Sequence, residues 1–222
     1  MKFTGDRLNR RSYAAELTGT FALVFCGTGA IVIDQQSGGA VTHVGVALTF
    51  GLIVMSMIYS LGNISGAHLN PAVSIAFAVA RRFPARQLPG YIISQLSGAL
   101  LASFTLKFLF PRNVLLGATM PSGTELQSFI LELILTFFLM LVILNVADGS
   151  KEHGMFAGLA IGAVVGLEAL FAGPICGASM NPARSIAPAI VSGHLEHLWV
   201  YLAAPIAGAV LAIPVWKYLG NN

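Results

Sequence analysis

Gly66-Ala67-His68-Leu69-Asn70-Pro71-Ala72-Val73-Ser74 recurs as Gly177-Ala178-Ser179-Met180-Asn181-Pro182-Ala183-Arg184-Ser185, 111 positions further along a chain of 222 residues. The two copies lie in Gly-rich connections, 62–80 and 173–193, and helix-compatible residues follow each one. Asn-Pro starts a helix for a physical reason. The Asn side-chain oxygen accepts from backbone N–H groups that have no intrahelical partner, and Pro at the first helical position gives up no needed donor. With its oxygen so occupied, the Asn NH₂ group is expected to point freely into a lumen. A single copy marks a capped helix. Two copies half a chain apart mark a duplicated architecture.

The segments flanking these motifs belong in lipid. The chain is 56% hydrophobic and 9% charged, whereas soluble domains carry about a quarter charged residues. A spanning helix needs about 20 mostly apolar residues, and six runs qualify: 14–33, 41–61, 91–110, 129–147, 155–172 and 198–218. The first run lacks a small-residue cleavage site, so it reads as a retained span behind a basic leader. An even number of spans puts both ends on one side. Placing them inside sets Lys2, Arg7, Arg10, Arg11, Arg81, Arg82, Arg86, Lys151 and Lys217 against only Lys107 and Arg112 outside, leaving Arg184 apart. The expected location is the plasma (cell inner) membrane, multi-pass, with both termini cytoplasmic. The net charge of +3 follows this topology and implies no nucleic acid.

The repeat extends beyond the motifs. Gly98-Ala99-Leu100-Leu101-Ala102 matches Gly208-Ala209-Val210-Leu211-Ala212, and Glu16-Leu17 with Gly19-Thr20-Phe21 resembles Glu132-Leu133 with Leu135-Thr136-Phe137. One transmembrane channel domain, 1–222, thus divides into halves of approximately 1–111 and 112–222, each with three spans. Three is odd, so the halves are inverted and the functional site is expected at the midplane between them. The motif connections are too apolar for solvated loops and read as re-entrant half-helices, which membranes tolerate where irregular backbone lines a wet cavity. Two half-helices of about 10 residues, each rising about 15 Å, together match the ~30 Å hydrocarbon layer. Their positive N-termini meet at its centre.

With Ser65 added before the first copy, these motifs make the chain resemble the aquaporin (major intrinsic protein) family over nearly its whole length. The resemblance is to the bacterial type, with features of the nodulin-like branch in Ala172-Gly173-Pro174 and Gly177-Ala178-Ser179-Met180. It implies an all-α membrane fold of six transmembrane helices plus two re-entrant half-helices, assembled as a homotetramer with a pore in every subunit. The implied function is passive passage of water and small uncharged solutes (glycerol, urea, metalloid hydroxides), with ions and protons excluded. It also implies pore motifs at Asn70, Pro71, Ala72 and at Asn181, Pro182, Ala183, and a selectivity filter of Phe50, Ala169, Ala178 and Arg184. Water-selective members usually carry His where this chain has Ala169, so a wider gate is expected. Ser185 stands where glycerol facilitators typically carry Asp, which points back toward water.

Other residues admit two readings. Arg184 is either the fixed cation of the constriction or a side chain snorkelling to the outer interface. Glu16 and Glu132 are intramembrane carboxyls at matching places, suited to proton coupling or to bracing the re-entrant loops, whose backbone groups need partners; bracing is expected, with His68 fixing its loop. Glu168 is interfacial or lines the vestibule. Cys176 is placed in a loop, accessible or buried, and the Ser150-Lys151-Glu152-His153 loop is a candidate gate. His43, His153, His194 and His197 near span ends have no metal-ligand spacing, and no catalytic constellation or cofactor motif stands out, so an enzyme is not expected. The runner-up is a secondary transporter, which shares inverted repeats but needs a coupling site.

Overall fold

The computed structural model describes residues 6–148 and 155–220. Lys2 of the basic leader and the 150–153 loop read as a gate lie outside the described residues. Helices α1 (Asp6–Gln36) and α2 (Thr42–Ser65) are followed by the short α3 (Pro71–Val79), then a 3₁₀ turn (Ala85–Gln87) and α4 (Leu88–Leu109). The second half repeats the order with α5 (Glu125–Asp148), α6 (Ala157–Cys176), the short α7 (Pro182–Ser192) and α8 (Leu198–Leu219). Among the described residues six helices are long and apolar enough to cross a membrane, and α3 and α7 are not among them.

Packing follows the repeat. α1 packs on α4 as α5 packs on α8, and α1 on α2 as α5 on α6. Each half-helix lies against the last span of the opposite half, α3 on α8 and α7 on α4, while α2 and α6 pack on each other across the junction. α3 and α7 also meet. Glycine permits these approaches. A Cβ on Gly98 would run into the Leu17 carbonyl oxygen, and one on Gly208 into that of Leu133. Where α2 crosses α6, a Cβ on Gly51 would lie 2.7 Å from Gly162 O, and one on Gly162 2.6 Å from Gly51 O.

Backbone atoms cannot retreat as a side-chain tip can, so Gly208→Val is expected to cost roughly 1–3 kcal/mol or more. That should lower the thermal unfolding midpoint in detergent by about 5 °C or more. Gly62→Ala, at a helical position with nothing within 4 Å, should leave the midpoint unchanged or raise it. An unchanged midpoint for Gly208→Val would mean that α5 and α8 are not in contact there.

α2 and α6 run on into the motif connections, beyond where the sequence reading ended them. α2 continues to Ser65 and α6 to Cys176, so Cys176 is a buried residue in the last turn of α6 and not a loop residue. Both helices end on a left-handed glycine, Gly66 (φ 87) and Gly177 (φ 83), whose N–H groups donate to Gly62 O and Gly173 O. α6 continues through Pro174, although Pro removes the N–H that the Leu170 carbonyl would take four residues back. His43 from α2 reaches that carbonyl instead, with Nε2 2.7 Å from the oxygen.

Candidate functional site

Asn70 and Asn181 are extended N-cap residues with Pro at the first helical position, and their side-chain oxygens accept from Ala72 N and from Ala183 N and Arg184 N. Their NH₂ groups are not wholly free, as the motif alone suggested. Asn70 Nδ2 donates to Met180 O at 2.7 Å, and Asn181 Nδ2 donates to Leu69 O at 2.8 Å. Each Asn therefore caps its own half-helix, ties itself to the opposite loop, and keeps one N–H for the lumen.

The loops leading to the two Asn residues share a backbone shape that the sequence did not announce. Gly66, Ala67 and Leu69 have φ of 87°, 47° and 51°, and Gly177, Ala178 and Met180 have 83°, 39° and 53°. Left-handed Ala, Leu and Met cost of order 1–3 kcal/mol each and persist only where the surroundings over-determine them. Buried carboxyls provide that determination. Glu16 Oε1 accepts from His68 N at 2.9 Å and Oε2 from Leu69 N at 2.7 Å; Glu132 Oε1 accepts from Ser179 N at 2.7 Å and Oε2 from Met180 N at 2.8 Å. Gln95 Nε2 also donates to Glu16 Oε2 and to Ser74 Oγ. The His68 ring is enclosed by Phe77, Phe83 and Tyr91, with Nδ1 3.1 Å from Ser74 Oγ.

Both loops line a cavity of about 710 Å³. Its walls include Tyr59, Asn63 and Met155 near one face, His68, Asn70 and Asn181 at the meeting of the half-helices, and Phe50, Ala169, Ala178 and Arg184. All four residues named as a filter thus share one lumen. The Arg184 guanidinium carbon stands 5.1 Å from the Phe50 ring centroid. Gly27 of α1 makes room for that ring, since a Cβ there would strike it.

Arg184 does not snorkel. Its side chain is buried at 2% exposure, Nη1 donates to Gly117 O at 2.8 Å, and Nε finds no protein partner among the described residues. Gly117 is the residue that sequence reasoning missed. It lies in the connection between the halves, where Leu116 is fully buried and Asn113 Oδ1 accepts from Leu116 N at 2.7 Å. The only available signal was the apolar run Val114-Leu115-Leu116 ahead of a glycine. The same connection brings in Thr119, whose hydroxyl donates to Ser185 Oγ at 2.8 Å; Ser185 Oγ is also 2.5 Å from Ser179 Oγ. Ser185 is fully buried in this network and does not line that cavity.

Glu168 fits neither placement expected of it. It is 5% exposed between buried Val165 and Ala172 on α6, lies outside the cavity wall, and its Oε2 has no hydrogen-bond partner among the described residues. His197 is at the opposite extreme, with Nδ1 2.7 Å from Glu125 Oε1 at the start of α8. Among the described residues no group of three His, Cys, Asp or Glu side chains is arranged to hold a metal ion.

This geometry has close counterparts. The profile of the Major intrinsic protein family matches residues 6–216. The chain is 50% identical to Aquaporin NIP1-1 of Oryza sativa subsp. japonica over 205 residues, covering 92% of this chain and 72% of that protein. It is 47% identical to Nodulin-26 of Glycine max, covering 92% and 75%. Among solved structures it is similar to the aquaglyceroporin from Plasmodium falciparum, with TM-score 0.83 and 31% identity over 94% of this chain and 96% of that one. Two half-helices capped by reciprocal asparagines around one lumen, within six apolar spans, agree with all three likenesses: the chain belongs to the major intrinsic protein family, has the aquaporin fold, and is a membrane channel for water and small neutral solutes.

Proposed function

We propose that Phe50, Ala169, Ala178 and Arg184 form a gate wide enough for glycerol, urea or a neutral metalloid hydroxide to follow water through a passive pore. The observation that carries this reading is the set of groups around Arg184. Its guanidinium faces the Phe50 ring at 5.1 Å, while Ala169 and Ala178 offer the same lumen only methyl groups. A carbon backbone can slide along Phe50 as its hydroxyls accept from the Arg184 guanidinium, which lines the same lumen. Asn70 and Asn181 each present one remaining N–H to a central water, which then points its own hydrogens away from both and interrupts a proton wire. Glu16, Glu132 and His68 brace the two loops. Both termini face the cytoplasm across the cell inner membrane, and the protein works as a homotetramer with a pore in each subunit.

The test compares water, glycerol, urea and arsenous acid permeabilities of reconstituted liposomes by stopped-flow light scattering. Wild type is expected to pass water in proportion to the osmotic gradient and at least one of the three solutes. Ala169→His restores bulk and a ring nitrogen to the gate and should suppress that solute by about tenfold, with water affected less. Wild type that excludes all three solutes while passing water overturns the wide gate. Flux that saturates and collapses when an ion gradient is removed would instead indicate a transporter.

A further inference from the structure

Leu170 is the residue after Ala169 in α6, and its carbonyl lacks the ordinary helical donor because the residue four positions on is Pro174. His43, in the first turn of α2, occupies that vacancy with Nε2 2.7 Å from Leu170 O. A carbonyl oxygen only accepts, so Nε2 carries the hydrogen; it does so in the neutral tautomer that makes this bond and in the imidazolium form alike. The neighbourhood is shaped for the contact. Gly173 leaves the space, since a Cβ there would lie 2.8 Å from His43 Cε1. The first turn of α2 is itself held by α1, because Asp34 Oδ1 accepts from Val41 N at 3.1 Å and Thr42 N at 2.7 Å.

α2 and α6 are therefore fixed to each other at three levels: by Tyr59 Oη, which accepts from Leu159 N at 3.2 Å, by the Gly51–Gly162 crossing, and by His43 at the end of α6 that carries Ala169. We propose that His43 is a positioning residue for the gate: by supplying to Leu170 O the hydrogen that Pro174 cannot, it sets where α6 holds Ala169 and so the relative passage of solute and water. This inference rests on Ala169 being part of the gate. Without the imidazole the Leu170 carbonyl has neither its helical nor its tertiary donor. The last turns of α6 are then free to bend at Pro174, where helices ordinarily kink.

The experiment is a double-mutant cycle in reconstituted liposomes, reading glycerol and water permeability for wild type, His43→Ala, Pro174→Ala and the double variant. His43→Ala is expected to change the glycerol-to-water ratio about threefold or more, which is within the reach of one ordinary hydrogen bond. In the Pro174→Ala background residue 174 supplies the N–H itself, so removing His43 should leave the ratio nearly unchanged. His43→Gln keeps an NH donor and should recover most of the wild-type ratio, whereas His43→Phe keeps the ring without the donor and should behave as His43→Ala. An equal effect of His43→Ala in both backgrounds, no effect in either, or a wild-type ratio for His43→Phe would overturn the proposal. If Pro174→Ala does not fold, the Gln and Phe variants decide alone. If wild type passes no glycerol, the wide-gate reading fails, and the same comparisons made in water permeability still decide the role of His43.

Discussion

Replacing Arg184 by Val is expected to open the channel to cations while water still passes at close to the parental rate. The guanidinium is buried, lines the lumen and is held in place by Gly117 O. A monovalent cation about 4 Å from it meets a repulsion of about 4 kcal/mol at an effective dielectric constant of about 20, roughly three orders of magnitude in crossing rate. Valine removes that barrier and widens the lumen, and water needs no single donor at this point. The leak should nevertheless be partial, because the N-termini of α3 and α7 still carry about half a positive charge each. Proton and potassium fluxes into liposomes, measured beside water permeability, provide the check. Background conductance in a folded, water-permeable Arg184→Val protein would mean that the half-helix termini alone exclude cations.

Loss of Glu132 should have the larger effect on folding. Glu132→Ala leaves Ser179 N and Met180 N without acceptors in the protein interior, at about 1–3 kcal/mol each. It also releases Ala178 and Met180 from left-handed backbone that the carboxyl helps to hold. A total of about 2–6 kcal/mol is a large share of the 5–15 kcal/mol typical of folded proteins. The variant is therefore expected to accumulate poorly, to unfold at markedly lower temperature in detergent, and to conduct water at the lipid background. Glu132→Gln keeps one carbonyl acceptor and should fall between Ala and wild type. Glu16→Ala should behave in parallel, because Glu16 accepts from His68 N, Leu69 N and Gln95 Nε2. Parental unfolding temperature and water permeability in Glu132→Ala would show that the loop holds its shape without the carboxyl.

The sequence alone determined the six spans, the two capped half-helices and their inverted relation. Each of these depends on neighbours along the chain: apolar length for a span, Asn-Pro for a helix start, an odd number of crossings for inversion. It also flagged Glu16 and Glu132 by their matching positions in the repeat. What it missed is carried by contacts between distant residues. Left-handed Leu69 and Met180 bear no local mark, because their N–H groups are held by carboxyls 53 and 48 residues away. α6 runs past the apolar stretch 155–172 to Cys176 with Pro174 inside it, and the carbonyl that Pro174 frees is taken by a donor 127 positions from Leu170. Gly117 was passed over because it holds Arg184 through its backbone oxygen, 67 residues away, and a carbonyl has no side-chain signature. Periodicity and capping are local and can be read from the chain, but the tertiary fold decides which distant group satisfies a strained loop, a freed carbonyl or a buried cation.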